Sequence, residues 1–502
     1  MPPVGPSPAA EPPASGGPSP ERSRRRRTGL VVAVVLLVVA LVGGGAAILR
    51  WTDDPPPDRV AVGPTAEPTP SPVLAAMAAT APQPTAEGIR AAIEPLITGA
   101  GIGGRLNVTV LDAATGQTLY DRGGATATVP ASTTKVITAV TVLATRGPAY
   151  RIPTRVVAGT GPGEVVLVAG GDPTLASGPG GYYPGAARLD LLANQVKQAL
   201  GGARPSRVIL DTSVYSGPTR APGWDADVVS GGYGAPATAL AVDGGRVDPD
   251  PKGRPGTAAR FPEPDLAAGR TFAKLLGLPA QAVTRGKAPA EAASGASTSP
   301  QGSSSGVPPA AGAELGKVES PPMVRLVDQM LTESDNDVAE ALAHQVALAR
   351  NQAGSFAAAA SAMDGVLTEL GLDASQADLS DGSGLSRANR LSPELLTQVL
   401  ALAAGGKRPE LGSVFTGLPV AGWSGTLDER YTGPAGTASG AGVVRAKTGT
   451  LTGVHAIAGT VLTADGRVLV FAELADGVTA NLPQAQQRLD RIAVALSRCG
   501  CR

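Results

Sequence analysis

A serine and a lysine three residues apart, Ser132 and Lys135, are the residues of this 502-residue chain best placed for covalent chemistry. They open the apolar segment Val136 to Leu143, which predicts a helix, and side chains at i and i+3 are neighbours on one helix face. A serine hydroxyl needs a partner to take its proton, and burial favours the neutral amine of a lysine. Backbone N–H groups at the helix N-terminus add donors for an oxyanion. The pair predicts a nucleophile with its base.

Two further motifs follow, Ser334-Asp335-Asn336 and Lys447-Thr448-Gly449. Each motif has a plainer interpretation: Ser132 and Ser334 would serve as helix N-caps, and Lys447 as a solvated lysine on an edge strand. Together, in this order and each in a suitable local context, they favour catalysis. Their combination resembles the signature of serine enzymes that act on D-alanyl peptides and β-lactams.

The elements around these motifs predict an α+β chain. Strands are expected at 106–112, 117–121, 154–157, 164–169, 207–211, 454–463 and 467–474. Helices are expected after Ser132 and at 189–200, 323–331, 336–350, 357–370, 392–403 and 483–497. Residues 287–312, rich in Ala, Ser, Gly and Pro, are interpreted as a poorly ordered connection.

Stretches beside the motifs bring the resemblance closer. They are Gly171 to Leu175, Asp381 to Ser386, Leu418 to Gly422 with Gly425 to Leu427, and Lys447 to Gly453. They resemble the low-molecular-mass class C penicillin-binding proteins, which are D-alanyl-D-alanine carboxypeptidases and endopeptidases of the penicillin-binding protein 4 type. The resemblance covers the chain from roughly Glu87 to its end, and the roughly 200 residues between Ser132 and Ser334 match a family with inserted domains.

The resemblance implies a β-lactamase/transpeptidase-like catalytic domain, an antiparallel sheet flanked by helices, from residues 87–155 and 318–502. An inserted, mostly β region would occupy residues 156–317.

The same resemblance implies the catalytic roles. Ser132 would attack the carbonyl of the penultimate D-alanine, with Lys135 as base, and form an acyl-enzyme. Ser334 would relay a proton to the leaving nitrogen, Asn336 would hold the substrate amide, and Lys447 would supply positive potential.

Substrate-binding residues are implied as well. Thr448 would bind the terminal carboxylate, Gly449 lies beside it, and the N–H groups of Ser132 and Thr450 would form the oxyanion hole. Trp224, Asp227 and Tyr233 resemble in spacing an aromatic and acidic patch of the family's side-chain pocket. Asp227 would then pair with the amine of diaminopimelate or lysine in the stem peptide. The alternative interpretation is an ordinary loop with one packed tryptophan.

The N-terminal residues predict a membrane-anchored chain. A disordered cytoplasmic tail, residues 1–28, carries four consecutive arginines, Arg24 to Arg27, near its end, and residues 29–49 form a 21-residue apolar run. Positive charge before the run places the N-terminus inside, a proline-rich linker follows at 50–86, and the catalytic part is extracytoplasmic. Cleavage of a signal peptide near Gly43 to Ala47, which would release a secreted protein, is the alternative.

The composition of the chain limits which partners and cofactors are predicted. Lysine and arginine equal aspartate and glutamate, 42 against 42, so no nucleic-acid partner is predicted. The histidines, His344 and His455, are not required by a lysine mechanism, and no metal-ligand spacing occurs, so neither a metal nor another cofactor is predicted. Cys499 and Cys501 do not fit a catalytic role.

The sequence therefore predicts a serine D-alanyl-D-alanine carboxypeptidase at the plasma membrane, with or without DD-endopeptidase action. Its partners would be peptidoglycan stem peptides, β-lactams as covalent inhibitors, and the membrane through the N-terminal helix. The alternatives are a β-lactamase-like hydrolase and a non-catalytic peptidoglycan-binding protein. The long insert speaks against the first, and the three intact motifs speak against the second.

Overall fold

The computed structural model describes residues 81–99, 101–249, 257–289, 309–433 and 436–501. All of them belong to one compact unit, Pro72–Arg502. The predicted tail, the predicted anchor at 29–49 and most of the predicted linker lie outside the described residues, as do residues 290–308 of the predicted connection. Within the described ranges, no helix is both long and apolar enough to cross a membrane.

The helices and strands follow one another along the chain. The helices are α1 (Ala86–Thr98), α2 (Thr134–Arg146), α3 (Leu189–Ala199), α4 (Pro264–Leu275), α5 (Met323–Thr332), α6 (Asn336–Ala349), α7 (Phe356–Glu369), α8 (Pro393–Ala404), α9 (Val414–Gly417) and α10 (Leu482–Ser497). The strands are β1 (Arg105–Asp112), β2 (Thr118–Arg122), β3 (Pro153–Ala158), β4 (Glu164–Val168), β5 (Arg207–Asp211), β6 (Val283–Arg285), β7 (Glu314–Glu319), β8 (Ala377–Asp378), β9 (Arg390–Leu391), β10 (Val444–Leu451), β11 (Val454–Leu462) and β12 (Val468–Asp476).

The first sheet joins the two ends of the described chain. Its order is β10-β11-β12-β1-β2, and every neighbouring pair is antiparallel. β1 pairs with β12 from Arg105 opposite Asp476 to Asp112 opposite Leu469. Residues of β11 and β12 are buried almost without interruption, because both faces of the sheet are covered.

Helices cover both faces of this sheet. On one face, α2, α5, α6, α7 and α8 form a core with alternate residues of β11 and β12, including Ala458 and Ala472. On the other face, α1 and α10 pack against Ile457 and Phe471. This arrangement places the start of α2, with Ser132, between the sheet and the larger group of helices.

Helix α1 was not predicted from the sequence. Thr85 caps it by accepting a hydrogen bond from the N–H of Gly88 at 3.0 Å. Ile89, Ile93 and Ile97 recur every four residues and bury one face against the sheet. The boundary predicted at residue 87 falls inside this helix.

The second sheet, here called the insert sheet, has the order β6-β5-β4-β3-β7. β3 is antiparallel to β4 and β7, whereas β4, β5 and β6 are parallel. Parallel neighbours need a crossover connection, and α3 and α4 supply the two crossovers. The expected boundaries at 155/156 and 317/318 fall inside β3 and β7, which pair with each other.

The expectation of a mostly β insert is corrected, because α3 and α4 cover the insert sheet. Helix α4 was not predicted, because its residues carry a glycine in mid-helix and only a weak apolar pattern. Tertiary packing explains this glycine, because a Cβ on Gly269 would lie 2.6 Å from a methyl group of Leu210 on β5. The helix therefore forms where close contact with the sheet stabilises it.

Candidate active site

Ser132 lies in a tight turn, Ala131–Thr133, that leads directly into α2. Ala131 holds a left-handed conformation, φ +48°, which is unfavourable for a residue with a Cβ. The turn is enclosed by two glycines: a Cβ on Gly449 would lie 3.1 Å from the N of Ser132, and one on Gly384 would collide with the carbonyl of Ala131. β10 and the loop 381–386, here called the Asp381 loop, thus touch the nucleophile's backbone.

Lys135 is fully buried one turn into α2. Its Nζ lies 3.0 Å from Oγ of Ser132, 2.6 Å from Oδ1 of Asn336 and 2.7 Å from the carbonyl oxygen of Ser383. The last two atoms only accept hydrogen bonds, whereas the serine hydroxyl can also donate one. A neutral amine satisfies all three contacts by donating two hydrogen bonds and accepting one from the hydroxyl of Ser132.

Burial lowers the pKa of Lys135 to about 8, against the opposing influence of nearby carboxylates. Those carboxylates, in order of their influence, are Asp381, Glu340, Asp335 and Asp337. The neutral form is thereby populated near neutral pH, as a general base requires.

Ser334 lies on the three-residue turn 333–335 between α5 and α6, here called the Ser334 turn, and Asn336 is the first residue of α6. Ser334 adopts φ +56°, a strained conformation for a non-glycine residue. Asp335, not Ser334, caps α6 by accepting from the N–H of Val338 at 3.0 Å. The helix-cap interpretation of Ser334 is therefore wrong, and its hydroxyl is not used for capping.

Lys447 lies on β10, which is an edge strand, yet its side chain is fully buried. Its Nζ donates to the carbonyl of Thr448 at 2.8 Å. Burial, and then the positive charge of Lys135, hold the pKa of Lys447 well below its ordinary value. The interpretation as a solvated surface lysine is therefore wrong.

The hydroxyl of Thr448 forms a hydrogen bond of 2.7 Å with the hydroxyl of Thr426. Thr426 belongs to the turn Gly425–Leu427, and no binding role was predicted for it from the sequence. Thr450, two residues further along β10, is exposed. Thr448 and Thr450 lie two residues apart on one face of β10, and the Thr448 hydroxyl is paired with that of Thr426.

The Asp381 loop is shaped by two buried carboxylates. Asp381 accepts from the N–H groups of Gly384 and Ser386 at 2.8 and 2.7 Å. Glu340 of α6 accepts from the N–H groups of Gly382 and Ser383 at 3.0 and 2.9 Å. Burial, and then the charge of Asp381, raise the pKa of Glu340 to about 8. These bonds aim the carbonyl of Ser383 at Lys135.

Comparison with known proteins decides the family. The D-Ala-D-Ala carboxypeptidase 3 (S13) family matches residues 89–289 and 292–498. The chain belongs to this family. A carboxypeptidase of Mycobacterium tuberculosis is 38% identical over 448 residues, 88% of this chain and 91% of that protein. The D-alanyl-D-alanine carboxypeptidase of Actinomadura sp. strain R39 is 30% identical, over 82% of this chain and 84% of that one.

Solved structures agree at the level of the fold. The crystal structure of penicillin binding protein 4 from Haemophilus influenzae is similar with a TM-score of 0.62 and 22% identity, covering 79% of this chain and 97% of that one. The predicted α+β, transpeptidase-like fold is therefore confirmed. The resemblance to low-molecular-mass class C penicillin-binding proteins is confirmed too, and this S13 protein is a serine D-Ala-D-Ala carboxypeptidase.

The remaining predicted residues of the S13 enzyme lie on the insert segment 221–234, which borders the site. Trp224 is partly buried, packs edge-on against Phe356 with ring centroids 5.8 Å apart, and donates from Nε1 to Asp381 at 2.8 Å. Asp227 is exposed. Tyr233 is 45% exposed, and its carbonyl accepts from Nδ2 of Asn336 at 2.8 Å.

Both histidines of the S13 enzyme are buried. His344 lies in α6, 2.7 Å from the carbonyl of Glu340, and stacks on Tyr215; burial lowers its pKa to about 4. His455 pairs with Thr450 across β10 and β11. Cys499 and Cys501 form a disulfide. Across the described ranges, no cluster of three or more His, Cys, Asp or Glu residues could hold a metal ion.

Proposed function

We propose that this S13 carboxypeptidase removes the terminal D-alanine of peptidoglycan stem peptides through an acyl-enzyme on Ser132. The contact between Nζ of Lys135 and Oγ of Ser132, inside a fully buried lysine site, carries the proposal. Ser132 gives its proton to Lys135 as Oγ bonds to the carbonyl carbon of the penultimate D-alanine. The C–N bond then breaks and the leaving D-alanine nitrogen takes a proton, relayed through Ser334.

Water completes the cycle by attacking the ester carbonyl. The proton of water passes to Lys135, the bond between Oγ of Ser132 and the carbonyl carbon breaks, and Lys135 returns the proton to Oγ, which restores the serine hydroxyl and frees the shortened peptide. The N–H groups of Ser132 and Thr450 stabilise the oxyanion in both halves of the reaction. The close approach of Gly449 to Ser132 supports this placement.

The terminal carboxylate of the substrate is assigned to Thr448 and Thr426, whose hydroxyls are 2.7 Å apart. Lys447, which is fully buried and bonded to the carbonyl of Thr448, has a depressed pKa in the free enzyme. A bound carboxylate would offset the cost of burying its charge and favour the ammonium form. Positive potential would thus develop at this site when substrate binds.

Asn336 is assigned to the substrate amide. Its Oδ1 accepts from Lys135 and its Nδ2 donates one hydrogen to the carbonyl of Tyr233. An amide nitrogen carries two hydrogens, so the second remains for a substrate carbonyl. Asp227 and Tyr233, both exposed, are assigned to the side chain of the third stem residue.

β-Lactams are assigned to the same site as covalent inhibitors, because their ring carbonyl presents the bond that Ser132 attacks. The penicillin binding protein 4 of Haemophilus influenzae has been crystallised with a β-lactam. We also place the catalytic part outside the plasma membrane, held by the apolar run 29–49. The arginines before that run support this orientation.

Mass spectrometry of muropeptides tests the proposal. The purified full-length protein is incubated with a pentapeptide monomer and with a cross-linked dimer, and Ser132→Ala serves as control. Loss of one D-alanine, or splitting of the dimer, only with the wild-type protein would support the peptidase and separate its two activities. Penicillin hydrolysis without peptide cleavage would favour a β-lactamase, and equal cleavage by Ser132→Ala would refute the mechanism.

A further inference from the structure

Two buried arginines of the insert form ion pairs with the motif that carries Ser334 and Asn336. Arg246 pairs with Asp335 at 3.2 Å, and Arg260 pairs with Asp337 at 3.0 Å. All four side chains are at most 8% exposed. Buried charges of this kind are costly unless they are paired, so each pair strongly constrains both partners.

Arg246 is itself held in place by several contacts. Its Nη1 donates to the hydroxyl of Tyr183 at 2.8 Å and to the carbonyl of Asp243 at 3.0 Å. The hydroxyl of Tyr183 donates in turn to Oδ2 of Asp335 at 2.9 Å. The guanidinium also stacks over the ring of Tyr182 at 3.9 Å. The position of Asp335 is thus set by a preorganised group of insert residues.

Arg260 supports the same turn from the next position. Its backbone forms a bridge with that of Arg246, and its Nη1 donates to the carbonyl of Gly244 at 3.3 Å. Asp337 also accepts from the N–H of Ala235 at 2.7 Å. The insert therefore contacts both acidic residues that flank Asn336.

A single residue, Asn336, links these contacts to the catalytic lysine. Asn336, between the two aspartates, accepts from Nζ of Lys135 at 2.6 Å. Ser334, immediately before Asp335, holds the strained φ of +56°, which persists only where surrounding contacts enforce it. The ion pairs supply that enforcement at the turn.

We propose that Arg246 and Arg260 are positioning residues, through which the insert fixes the Ser334 turn and balances the charge around Lys135. The proposal rests on the proposed function of Ser132 and Lys135. The insert would then be required for acylation itself, in addition to any contact with the substrate.

The charges around Lys135 predict how the pH dependence of acylation should change in an arginine variant. The titratable groups that face it are Asp335 and Asp337 at the start of α6, Glu340 further along α6, Asp381 of the Asp381 loop, and Lys447 of β10. Removing Arg246 leaves the charge of Asp335 unbalanced, which favours the ammonium form and raises the pKa of Lys135. Since the neutral amine is the base, the acidic limb of the acylation rate would move to higher pH.

Acylation by a fluorescent penicillin, measured from pH 6 to 10 on the full-length protein, tests the proposal. We expect Arg246→Gln and Arg260→Gln to acylate ~10²-fold more slowly, with the limb shifted to higher pH. Arg246→Lys should keep the acidic limb of the pH profile at its wild-type position, because lysine keeps the positive charge beside Asp335. Arg285→Gln is the matched control, because it also breaks an ion pair with a buried insert carboxylate, that of Asp265.

The outcomes separate this proposal from the proposed function. A wild-type protein that is not acylated on Ser132 would refute the proposed function. Suppose the wild-type protein is acylated. The positioning role would be overturned if the Gln variants match Arg285→Gln in acylation rate and acidic limb. It would also be overturned if they lose rate only in proportion to their unfolded fraction. If neither Gln variant folds, Arg246→Lys decides, because it keeps the charge but not the guanidinium contacts to Tyr183 and Asp243. Slower acylation at full folding with the wild-type limb supports the positioning role, and an unchanged rate overturns it.

Discussion

The indole Nε1 of Trp224 donates a 2.8 Å hydrogen bond to Oδ2 of Asp381, so the insert and the Asp381 loop share a bond. Asp381 is 2% exposed and also holds the backbone of its own loop. That loop presents the carbonyl of Ser383 to Lys135. Trp224 is therefore tied to the shape of the active site through a buried carboxylate.

Trp224→Phe keeps the ring against Phe356 and removes the donor to Asp381. We expect the free energy of unfolding to fall by about 1 to 3 kcal/mol, because a buried carboxylate loses one hydrogen bond. Substrate preference between different third stem residues should stay as it is. Chemical denaturation and turnover of two peptides would measure both effects, and an unchanged stability would contradict the bond's role.

Asp227→Ala should weaken the preference for stem peptides with a free side-chain amine over the same peptides acetylated there. The variant lacks the exposed carboxylate that attracts this amine, and such an attraction at an exposed site contributes about 1 kcal/mol to binding. The ratio of kcat/KM for the two peptides is the measurement. Asp248→Ala removes another exposed carboxylate of the insert and is the control. An equal preference for the free amine in both variants would contradict the assignment of Asp227 to this amine.

Gly449→Ala should slow acylation ~10²-fold, because a Cβ there meets the carbonyl oxygen of Pro130 at 2.8 Å and the N of Ser132 at 3.1 Å. Either β10 or the turn Ala131–Thr133 would therefore have to shift. Gly433→Ala is the matched control, since a Cβ at that position meets nothing within 4 Å. Comparable acylation rates in the two variants would show that the contact does not matter.

The acylation rate of the wild-type enzyme should rise with pH through about 8, where burial places the pKa of Lys135. Below that value the lysine is mostly protonated and cannot accept the proton of Ser132, so the rate falls about tenfold per pH unit. Stopped-flow acylation by penicillin would measure the profile. Lys135→Arg stays protonated throughout and should show no acylation at any pH; a flat wild-type profile would exclude lysine as the base.

Glu473→Gln should stabilise the protein increasingly as pH rises. Glu473 lies fully buried on β12, and burial, then the charge of Asp490, hold its pKa well above the ordinary value. The folded state thus keeps a proton that the unfolded state loses above its ordinary pKa, and stability declines by up to about 1.4 kcal/mol per pH unit. Glutamine does not titrate, so the stability gap should widen from pH 5 to 7. A constant gap in thermal unfolding would contradict this.

Much of the fold was readable from the sequence where the pattern is strong. The predicted strands 454–463 and 467–474 correspond to β11 and β12, and the predicted helix 483–497 to α10, within two residues. Regular apolar patterns produce this agreement, because β11 and β12 are mostly apolar and α10 repeats buried apolar residues at helical spacing, at Ala485, Leu489, Ile492 and Leu496. α1 and α4 escaped prediction because they depend on packing against a sheet.

The sequence by itself determined the chemistry, because Ser132 and Lys135 are close on any helix that starts there, and because three ordered motifs identify the family. Only the tertiary structure decided how that chemistry is set up. The burial that lowers the pKa of Lys135, the bond from Trp224 to Asp381, and the ion pairs of Arg246 and Arg260 each join distant parts of the chain. Spacing along a chain specifies neighbours on one helix, whereas desolvation and ion pairing depend on every element that closes around a site.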